Sequence, residues 1–191
     1  TFQYISATED KKNLKTLVDY TIGRHYPNIK NSKTAALDLF KIVITKQTEL
    51  VTNWMRVGFI HGVMNTDNMS ILGLTIDYGP YGWLDDYSPA WTPNTTDSEG
   101  RRYCFGNQSQ VAHWNLAQLA RAIYPLIQQA EPLQSILDSY TEEYERGWRK
   151  MMSRKLGLNA FESSDEALVT ELLAILELVE TDMTIFFRQL A

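Results

Sequence analysis

Apolar side chains recur at helical spacing in the first part of the chain. The pattern between Lys11 and Arg24 predicts an amphipathic helix. Ser32 is a suitable N-cap for a second, longer helix, whose apolar positions continue with the same periodicity until Gly58. Residues 1–57 are therefore predicted to form N-terminal helices.

The same periodicity returns in the second half of the chain. It predicts one helix over residues 108–129 and another over residues 133–156. Ser163 and Glu166 have the spacing of a capping box, which predicts the start of a third helix. Residues 107–191 are therefore predicted to form a helical bundle.

Residues 58–106, between these helical parts, are rich in Gly, Pro, Asn, Asp and aromatic residues. Only Ser70–Ile76 is apolar and strand-like, and turn residues follow at once in Tyr78-Gly79-Pro80. A long irregular segment inside a compact domain is usually functional. The pattern predicts a single, mainly α domain over residues 1–191, with a short β-hairpin in its middle part.

Composition and charge narrow the class of protein. A chain of 191 residues with 44% hydrophobic and 21% charged residues has the composition of one globular domain. A net charge of −5 without any Lys/Arg-rich block argues against a nucleic-acid partner. No apolar run approaches the roughly 20 residues that span a bilayer, so no membrane partner is expected. The single cysteine, Cys104, permits no internal disulfide and favours a reducing compartment.

Candidate chemistry lies where the long predicted helix ends, in the run His61–Gly79. Asp67 supplies a carboxylate that can accept a hydroxyl proton. Asn68 and Asp77 supply oxygen ligands of the kind that Mg²⁺ prefers. Residue chemistry alone leaves a simple polar hairpin open as the alternative, because Asn, Asp and Gly are also common turn residues.

The order of these residues favours one arrangement. A long helix, a His residue, an Asn, a short strand and Asp-x-Gly follow one another as in the C-lobe of a protein kinase, where the Asn and the Asp hold metal ions. The position that holds the catalytic aspartate in kinases, five residues before Asn68, is Val63 in this chain. This excludes a conventional protein kinase. An aminoglycoside-type kinase, which would need the same aspartate, ranks last.

Residues Gly58–Pro80 closely resemble, almost without interruption, the signature of the selenoprotein O family. Thr1–Tyr4, Asn107-Gln108 and Trp114–Ala117 match that family as well. Its members have a kinase-like fold and transfer AMP from ATP to Ser, Thr or Tyr hydroxyls of proteins. The resemblance therefore implies an adenylyltransferase whose partners are ATP and protein substrates.

The resemblance also implies roles for the three candidate residues. Asp67 would be the proton acceptor. Asn68 and Asp77 would hold Mg²⁺, with Mn²⁺ as a substitute, and Asp77 would also lie near the nucleotide phosphates. In the family, the glycine-containing nucleotide loop, a Lys–Glu pair and two phosphate-binding arginines precede the segment that matches Thr1–Tyr4. We therefore expect a kinase-like C-lobe with the N-lobe absent, which alone binds ATP weakly and is inactive or nearly so.

A non-catalytic helical interaction module that retains a kinase-like loop is the alternative function. The aromatic residues between Tyr78 and Trp91 favour it, because exposed aromatic side chains are common in binding surfaces. For the enzyme, a bacterial cytoplasmic location is expected, or a mitochondrial one in a eukaryote.

Overall fold

The computed structural model of this chain describes residues 1–190. Within them, the helices are α1 (Phe2–Ala7), α2 (Lys11–His25), α3 (Ala35–Val57), α4 (Gln108–Ile127), α5 (Ala130–Lys155), α6 (Asp165–Leu176) and α7 (Met183–Gln189). The strands β1 (Phe59–Ile60) and β2 (Gly82–Trp83) pair antiparallel, with Phe59 opposite Trp83. The predicted mainly α fold with a small antiparallel strand pair is confirmed. None of these helices is long and apolar enough to cross a membrane.

Helix α3 packs against both α4 and α5, and its buried face is mostly apolar. The hydrophobic residues of α3 that are buried in the main core are Leu39, Phe40, Val43, Ile44, Val51 and Trp54. Gly58 ends the helix as predicted, and its N–H donates to the carbonyl of Trp54. The predicted N-cap is wrong, because the helix begins after Thr34. The Ser32 hydroxyl instead contacts Asp38 and accepts the Thr34 N–H.

The predicted helices over residues 108–129 and 133–156 correspond to α4 and α5, with ends that differ by at most a few residues. The predicted start of the next helix is wrong in detail. Helix α6 begins after Ser164, and the Glu162 N–H donates to the Asp165 carboxylate at 2.7 Å. The Glu166 carboxylate of the capping box expected from Ser163 and Glu166 instead pairs with Arg149 Nη2 at 2.7 Å.

The segment 70–76, predicted as a strand, is a tight turn. A single antiparallel bridge joins Met69 and Thr75 across it, and the Gly73 N–H closes it by donating to the carbonyl three residues earlier at 3.0 Å. Gly73 has φ +67°, and a Cβ there would lie 2.9 Å from the Cβ of Lys46 on α3. The apolar run therefore turns tightly against α3 instead of extending, because only glycine permits this conformation and this approach. The sheet forms from the residues on either side, 59–60 and 82–83.

The chain between β2 and α4 is irregular apart from two short 3₁₀ turns at Thr95–Asp97 and Phe105–Asn107. Its first part is joined to the C-terminal end of the chain, because the Met183 N–H donates to the Asp85 carbonyl at 2.8 Å. Met183 is also buried in a small cluster with Ile60 of β1. Helix α7 therefore packs beside the strand pair that precedes and follows the candidate site.

Candidate functional site

His61 lies at the base of the candidate site and is 1% exposed. Its Nδ1 accepts the Val63 N–H at 3.3 Å, so the proton of the neutral ring is on Nε2. That proton is donated to the Ile76 carbonyl at 2.8 Å. A single buried side chain thus joins the loop that leads to Asp67 with the residue directly before Asp77.

Side-chain amides hold the backbone of residues 59–70. Five of them donate an N–H to a main-chain carbonyl of this stretch, at 2.5 to 3.0 Å. The pairs are Gln108 with Phe59, Asn94 with Gly62, Asn68 with Val63, Asn115 with Met64, and Gln47 with Ser70. Because buried carbonyls need a donor, these amides determine the course of the loop without adding any charge to it.

The loop itself orients the side chain of Asn68. Its Nδ2 donates to the Val63 carbonyl at 3.0 Å, and its main-chain N–H donates to the Asn65 carbonyl at 3.0 Å. The Oδ1 atom accepts no hydrogen bond from the residues that the structure describes. An amide oxygen fixed in this way is a suitable ligand for a hard cation.

Asp77 is exposed and has a left-handed backbone, with φ 55°. Residues with a Cβ rarely adopt this conformation, although Asp tolerates it better than most. Two bonds hold the chain directly before it. Trp54 Nε1 donates to the Thr75 hydroxyl at 2.9 Å, and His61 donates to the Ile76 carbonyl. Uncommon backbone conformations that are held by their surroundings are typical of functional sites.

Gly62 brings the loop into close contact with the segment after Asp77. It has φ +79°, and a Cβ at this position would lie 2.2 Å from the Pro80 carbonyl oxygen. Glycine alone satisfies both the conformation and the contact. The loop and the residues that follow Asp77 are therefore held side by side.

The three candidate residues lie in the chain just outside the single bridge that closes the tight turn. Asp67 and Asn68 directly precede Met69 on one side of this bridge, and Asp77 follows Thr75 by two residues on the other side. Asp67 and Asp77 are both exposed. Among residues 1–190, neither carboxylate takes part in an ion pair. The site thus presents two unpaired carboxylates and one oriented amide oxygen.

This set of donors fits Mg²⁺. The ion usually takes one or two protein oxygens and completes its shell with water and substrate phosphates. Asn68 Oδ1 and the Asp77 carboxylate are oxygens of that type. Within the described part of the chain, no group of three or more His, Cys, Asp or Glu side chains could hold a metal ion. A cation at this end of the turn would therefore depend on water and phosphate oxygens for most of its ligands.

Sequence reasoning did not identify the residues that hold the loop. Asn94, Gln108 and Asn115 are buried and bind backbone groups 32, 49 and 51 positions away. Periodicity and turn chemistry reveal contacts only between near neighbours, so they could not predict these bonds. The one available signal was that Gln108 and Asn115 fall in the short segments that match the family outside the main signature.

Comparison with known protein families gives a match over the whole chain. The family model described as "Protein adenylyltransferase SelO" matches residues 1–191. The matched region therefore includes the loop, the tight turn and all three candidate residues.

Several bacterial proteins are similar to this chain. The "Protein nucleotidyltransferase YdiU" of Flavobacterium johnsoniae is 53% identical over 191 residues, which cover 100% of this chain and 37% of that protein. The proteins of the same name from Rhodopirellula baltica and Aromatoleum aromaticum are each 52% identical over 100% of this chain and 36% of their own length. The chain thus spans a little over a third of the length of these relatives.

Proposed function

This chain belongs to the protein adenylyltransferase SelO family, and we propose that it supplies the proton acceptor and the metal ligands of a protein adenylyltransferase. The reaction is the Mg²⁺-dependent transfer of AMP from ATP to a Ser, Thr or Tyr hydroxyl of a protein. Because the chain spans 36% of the length of a typical relative, the activity is proposed for the complete polypeptide. The observation that supports it most is the Asn68 amide fixed by the Val63 carbonyl, with Asp67 beside it in the chain and Asp77 two residues past the Met69–Thr75 bridge.

A kinase-like C-lobe is the proposed architecture. The long helix α3 leads into the loop of residues 61–68, and a tight turn then leads to Asp77, which is the order of elements in kinases. In this proposal, residues 1–57 are N-terminal helices. Residues 58–106 contain the catalytic loop, the metal loop and a segment like an activation loop, and residues 107–191 form the bundle.

Asp67 is the proton acceptor of the proposed reaction. The proton of the substrate hydroxyl moves to the Asp67 carboxylate while the hydroxyl oxygen forms a bond to the α-phosphorus of ATP. The bond between that phosphorus and the oxygen that bridges to the β-phosphate breaks, and pyrophosphate leaves with the electron pair. The exposure of Asp67 supports this role, because a hydroxyl on another protein has to reach the carboxylate.

Asn68 and Asp77 are the proposed Mg²⁺ ligands, and Asp77 also lies near the nucleotide phosphates. Bound Mg²⁺ neutralises negative charge on the phosphate oxygens during transfer. The contribution of the protein is orientation. The Val63 carbonyl fixes the Asn68 amide, and the bond from His61 to Ile76 fixes the chain before Asp77.

A non-catalytic interaction module is the second candidate, and an exposed aromatic cluster favours it. Tyr78, Tyr81 and Trp83 are 61%, 40% and 54% exposed. Tyr81 contacts Tyr78 and Trp83 edge to face, with ring centroids 5.3 and 5.4 Å apart. Exposed aromatic clusters are typical of protein-binding surfaces. In the adenylyltransferase proposal this surface beside Asp77 contacts the protein substrate, whereas in the module it binds a partner and no AMP is transferred.

Incorporation of labelled AMP into protein tests the enzyme proposal. The longest natural polypeptide that contains this chain is compared with its Asp67→Asn and Asp77→Asn variants. Asp85→Asn, which changes another exposed acid in the same part of the chain, is the matched control. We expect each of the first two substitutions to lower the rate about 100-fold or more and the control to leave it unchanged.

The outcomes of this assay distinguish the two candidate functions. Labelling by the Asp67→Asn/Asp77→Asn double variant at the parental rate would contradict the assigned roles. No labelling by the parent with Mg²⁺ or Mn²⁺ would favour the interaction module.

The 191-residue chain by itself is proposed to bind ATP weakly and to transfer little or no AMP. In the family, the nucleotide loop and the phosphate-binding arginines precede the segment that matches Thr1–Tyr4. Micromolar binding of ATP to this chain in isothermal titration calorimetry would contradict the proposal. The bacterial cytoplasm is the proposed location, because the relatives described above are bacterial.

A further inference from the structure

Arg102 is an exposed arginine whose guanidinium lies over two aromatic rings. Its Cζ atom is 4.8 Å from the centroid of the Trp114 ring and 5.7 Å from that of the Tyr103 ring. An aromatic face attracts a guanidinium and restricts its movement, whereas the N–H donors lie in the plane of the group and stay available. Arg102 is therefore a positioned cation on the surface of the molecule.

Both rings belong to segments that hold the loop of the candidate site. The Tyr103 hydroxyl donates to Asn65 Oδ1 at 2.6 Å. Trp114 directly precedes Asn115 on α4, and the Asn115 amide donates to the Met64 carbonyl at 2.8 Å. The arginine is thus linked, through both rings, to the two residues that come shortly before the proposed proton acceptor. It lies on the surface next to the loop that carries this acceptor.

The backbone that carries the arginine is held in place as well. The Asp97 carboxylate accepts the Arg102 N–H at 3.0 Å and the Tyr103 N–H at 2.7 Å. Asn107 Nδ2 donates to the Arg101 carbonyl at 3.0 Å. Among residues 1–190, Arg102 takes part in no ion pair, and Asp97 takes part in none either. An exposed and oriented guanidinium without an ionic partner is available to an anion on another molecule.

The charges of the same turn restrict that anion. Residues 97–103 contain two acids, Asp97 and Glu99, and two arginines, Arg101 and Arg102. The Arg101 side chain is in part engaged, because its Nε donates to the Ser98 carbonyl at 3.4 Å. A triphosphate, with several negative charges, would meet two acids here and only two cations. A single carboxylate suits the site better, because it carries one negative charge and forms a bidentate pair with one guanidinium.

We propose that Arg102, held by the Tyr103 and Trp114 rings, binds a Glu or Asp side chain of the protein that receives AMP and so contributes to the choice of substrate. Trp114 is 46% exposed, and its free surface packs against the apolar part of the same segment. Calling the bound protein a substrate rests on the function proposed above. Binding of an acidic segment does not depend on AMP transfer.

Two peptides of equal length test the preference for an acid. They are acetyl-Glu-Glu-Tyr-Glu-Glu-amide and the same peptide with Gln in place of each Glu. Each is titrated into the ¹⁵N-labelled chain, and the signals of the Trp114 indole N–H and of the backbone amides of residues 101–103 are followed. We expect a saturable shift with the acidic peptide and a Kd at least about threefold lower than that of the Gln peptide, as for one exposed charge-assisted pair. No saturable shift with the acidic peptide, or equal affinities for the two peptides, would overturn the proposal.

Two substitutions distinguish a specific pair from general attraction between charges. Arg102→Gln and Arg101→Gln each remove one positive charge from the same turn, and both arginines are exposed. We expect Arg102→Gln to reduce the affinity for the acidic peptide to that for the Gln peptide. Arg101→Gln should retain at least about half of the parental affinity. Equal losses in the two variants would show a general charge effect and contradict the role of Arg102.

Trp114→Leu leaves the net charge unchanged and removes one of the two rings. If the ring positions the guanidinium, the affinity for the acidic peptide should fall about two- to threefold, as seen from the signals of residues 101–103. An unchanged affinity would overturn the role of the ring.

Inorganic phosphate and ATP with Mg²⁺ are titrated in the same way, because a guanidinium also binds phosphates. We expect either to shift the signals of residues 101–103 and of the Trp114 indole less strongly than the acidic peptide at equal concentration. A lower Kd for phosphate or for ATP at these signals would assign the site to phosphate binding and overturn the proposal.

AMP transfer to the two peptides by the longest natural polypeptide tests the role in substrate choice. Arg102→Gln should raise the KM for the acidic peptide about threefold or more and leave kcat nearly unchanged, because the lost contact is to the bound peptide and not to the reacting atoms. Arg101→Gln should change neither value by more than about twofold. Transfer by the parent that does not distinguish the two peptides would contradict this role. No transfer by the parent would contradict the proposed function, whereas the peptide titrations would still decide whether Arg102 binds an acid.

Discussion

Gln108→Met removes two hydrogen bonds from the base of the candidate site without opening a cavity. The Gln108 side chain is 0% exposed. Its Oε1 accepts the His61 N–H at 3.1 Å, and its Nε2 donates to the Phe59 carbonyl at 2.9 Å. Methionine has a similar volume but neither an N–H donor nor a strong acceptor. The substitution therefore leaves two buried backbone groups without a partner.

The expected loss follows from those two groups. A buried donor or acceptor left unpaired costs about 1–3 kcal/mol, so the free energy of unfolding should fall by about 2–6 kcal/mol. Single domains are typically stable by about 5–15 kcal/mol, so this is a large fraction of the total. The loss should be greatest around residues 59–61, where both backbone partners of Gln108 lie.

Urea unfolding measures this loss, with Gln110→Met as the matched control because Gln110 is exposed on the same helix. The control should change the free energy of unfolding by less than about 0.5 kcal/mol. Hydrogen exchange adds a local readout, since the His61 amide should exchange faster in the Gln108 variant only. Equal urea midpoints for the two variants, with unchanged protection of His61, would refute the reasoning.

Gly62→Ala should lower the free energy of unfolding by more than about 2 kcal/mol, because a Cβ at a positive φ would overlap the Pro80 carbonyl. Gly23→Ala, in helix α2 with open space around it, should instead raise the free energy of unfolding by about 0.5–1 kcal/mol. Equal urea midpoints for the two glycine variants would contradict this. Burial and the nearby Arg56 lower the pKa of Lys155 from 10.5 to about 8. The unfolded chain therefore binds more protons between these pH values, and the contribution of Lys155 to stability should rise with pH across that window. From pH 7.5 to pH 10, the urea midpoint should rise more in the parent than in Lys155→Met. An equal rise in both proteins would argue against the lowered pKa of Lys155.

The helical part of the fold could be predicted because helix formation and amphipathic burial depend on residues a few positions apart. The spacing of apolar residues indicated α2, α3, α4 and α5, and Gly58 correctly marked the end of α3. The helix starts were less predictable. Asp38 binds the Ser32 hydroxyl, and Arg149 pairs with the Glu166 carboxylate that the predicted capping box would have used. The pattern of residue types does not show which of these bonds forms.

The position of the small sheet was decided by packing. Residues 70–76 have the composition of a strand, but Gly73 and the approach to α3 turn them into a tight loop. The paired residues, 59–60 and 82–83, are too short to produce an alternating pattern. The sequence therefore indicated that strands were present in the middle of the chain, but not which residues formed them.

The candidate site divides in the same way. The residue types and order of Asp67, Asn68 and Asp77 were sufficient to propose a proton acceptor and two oxygen ligands, because that chemistry depends on the side chains themselves. Their assigned roles remain proposals. The bonds that hold the loop before them, from Gln108, Asn94 and other distant residues, were visible only in the folded structure.

Local periodicity and turn chemistry thus determined the helical scaffold and the candidate chemistry, because both are properties of near neighbours in the chain. The tertiary structure determined which amides hold the loop and which buried acceptors, on Gln47 and Asn115, have no hydrogen-bond partner among the described residues. The reason is physical. A buried polar atom must find its partner among whatever groups packing brings close, and packing joins residues that lie tens of positions apart.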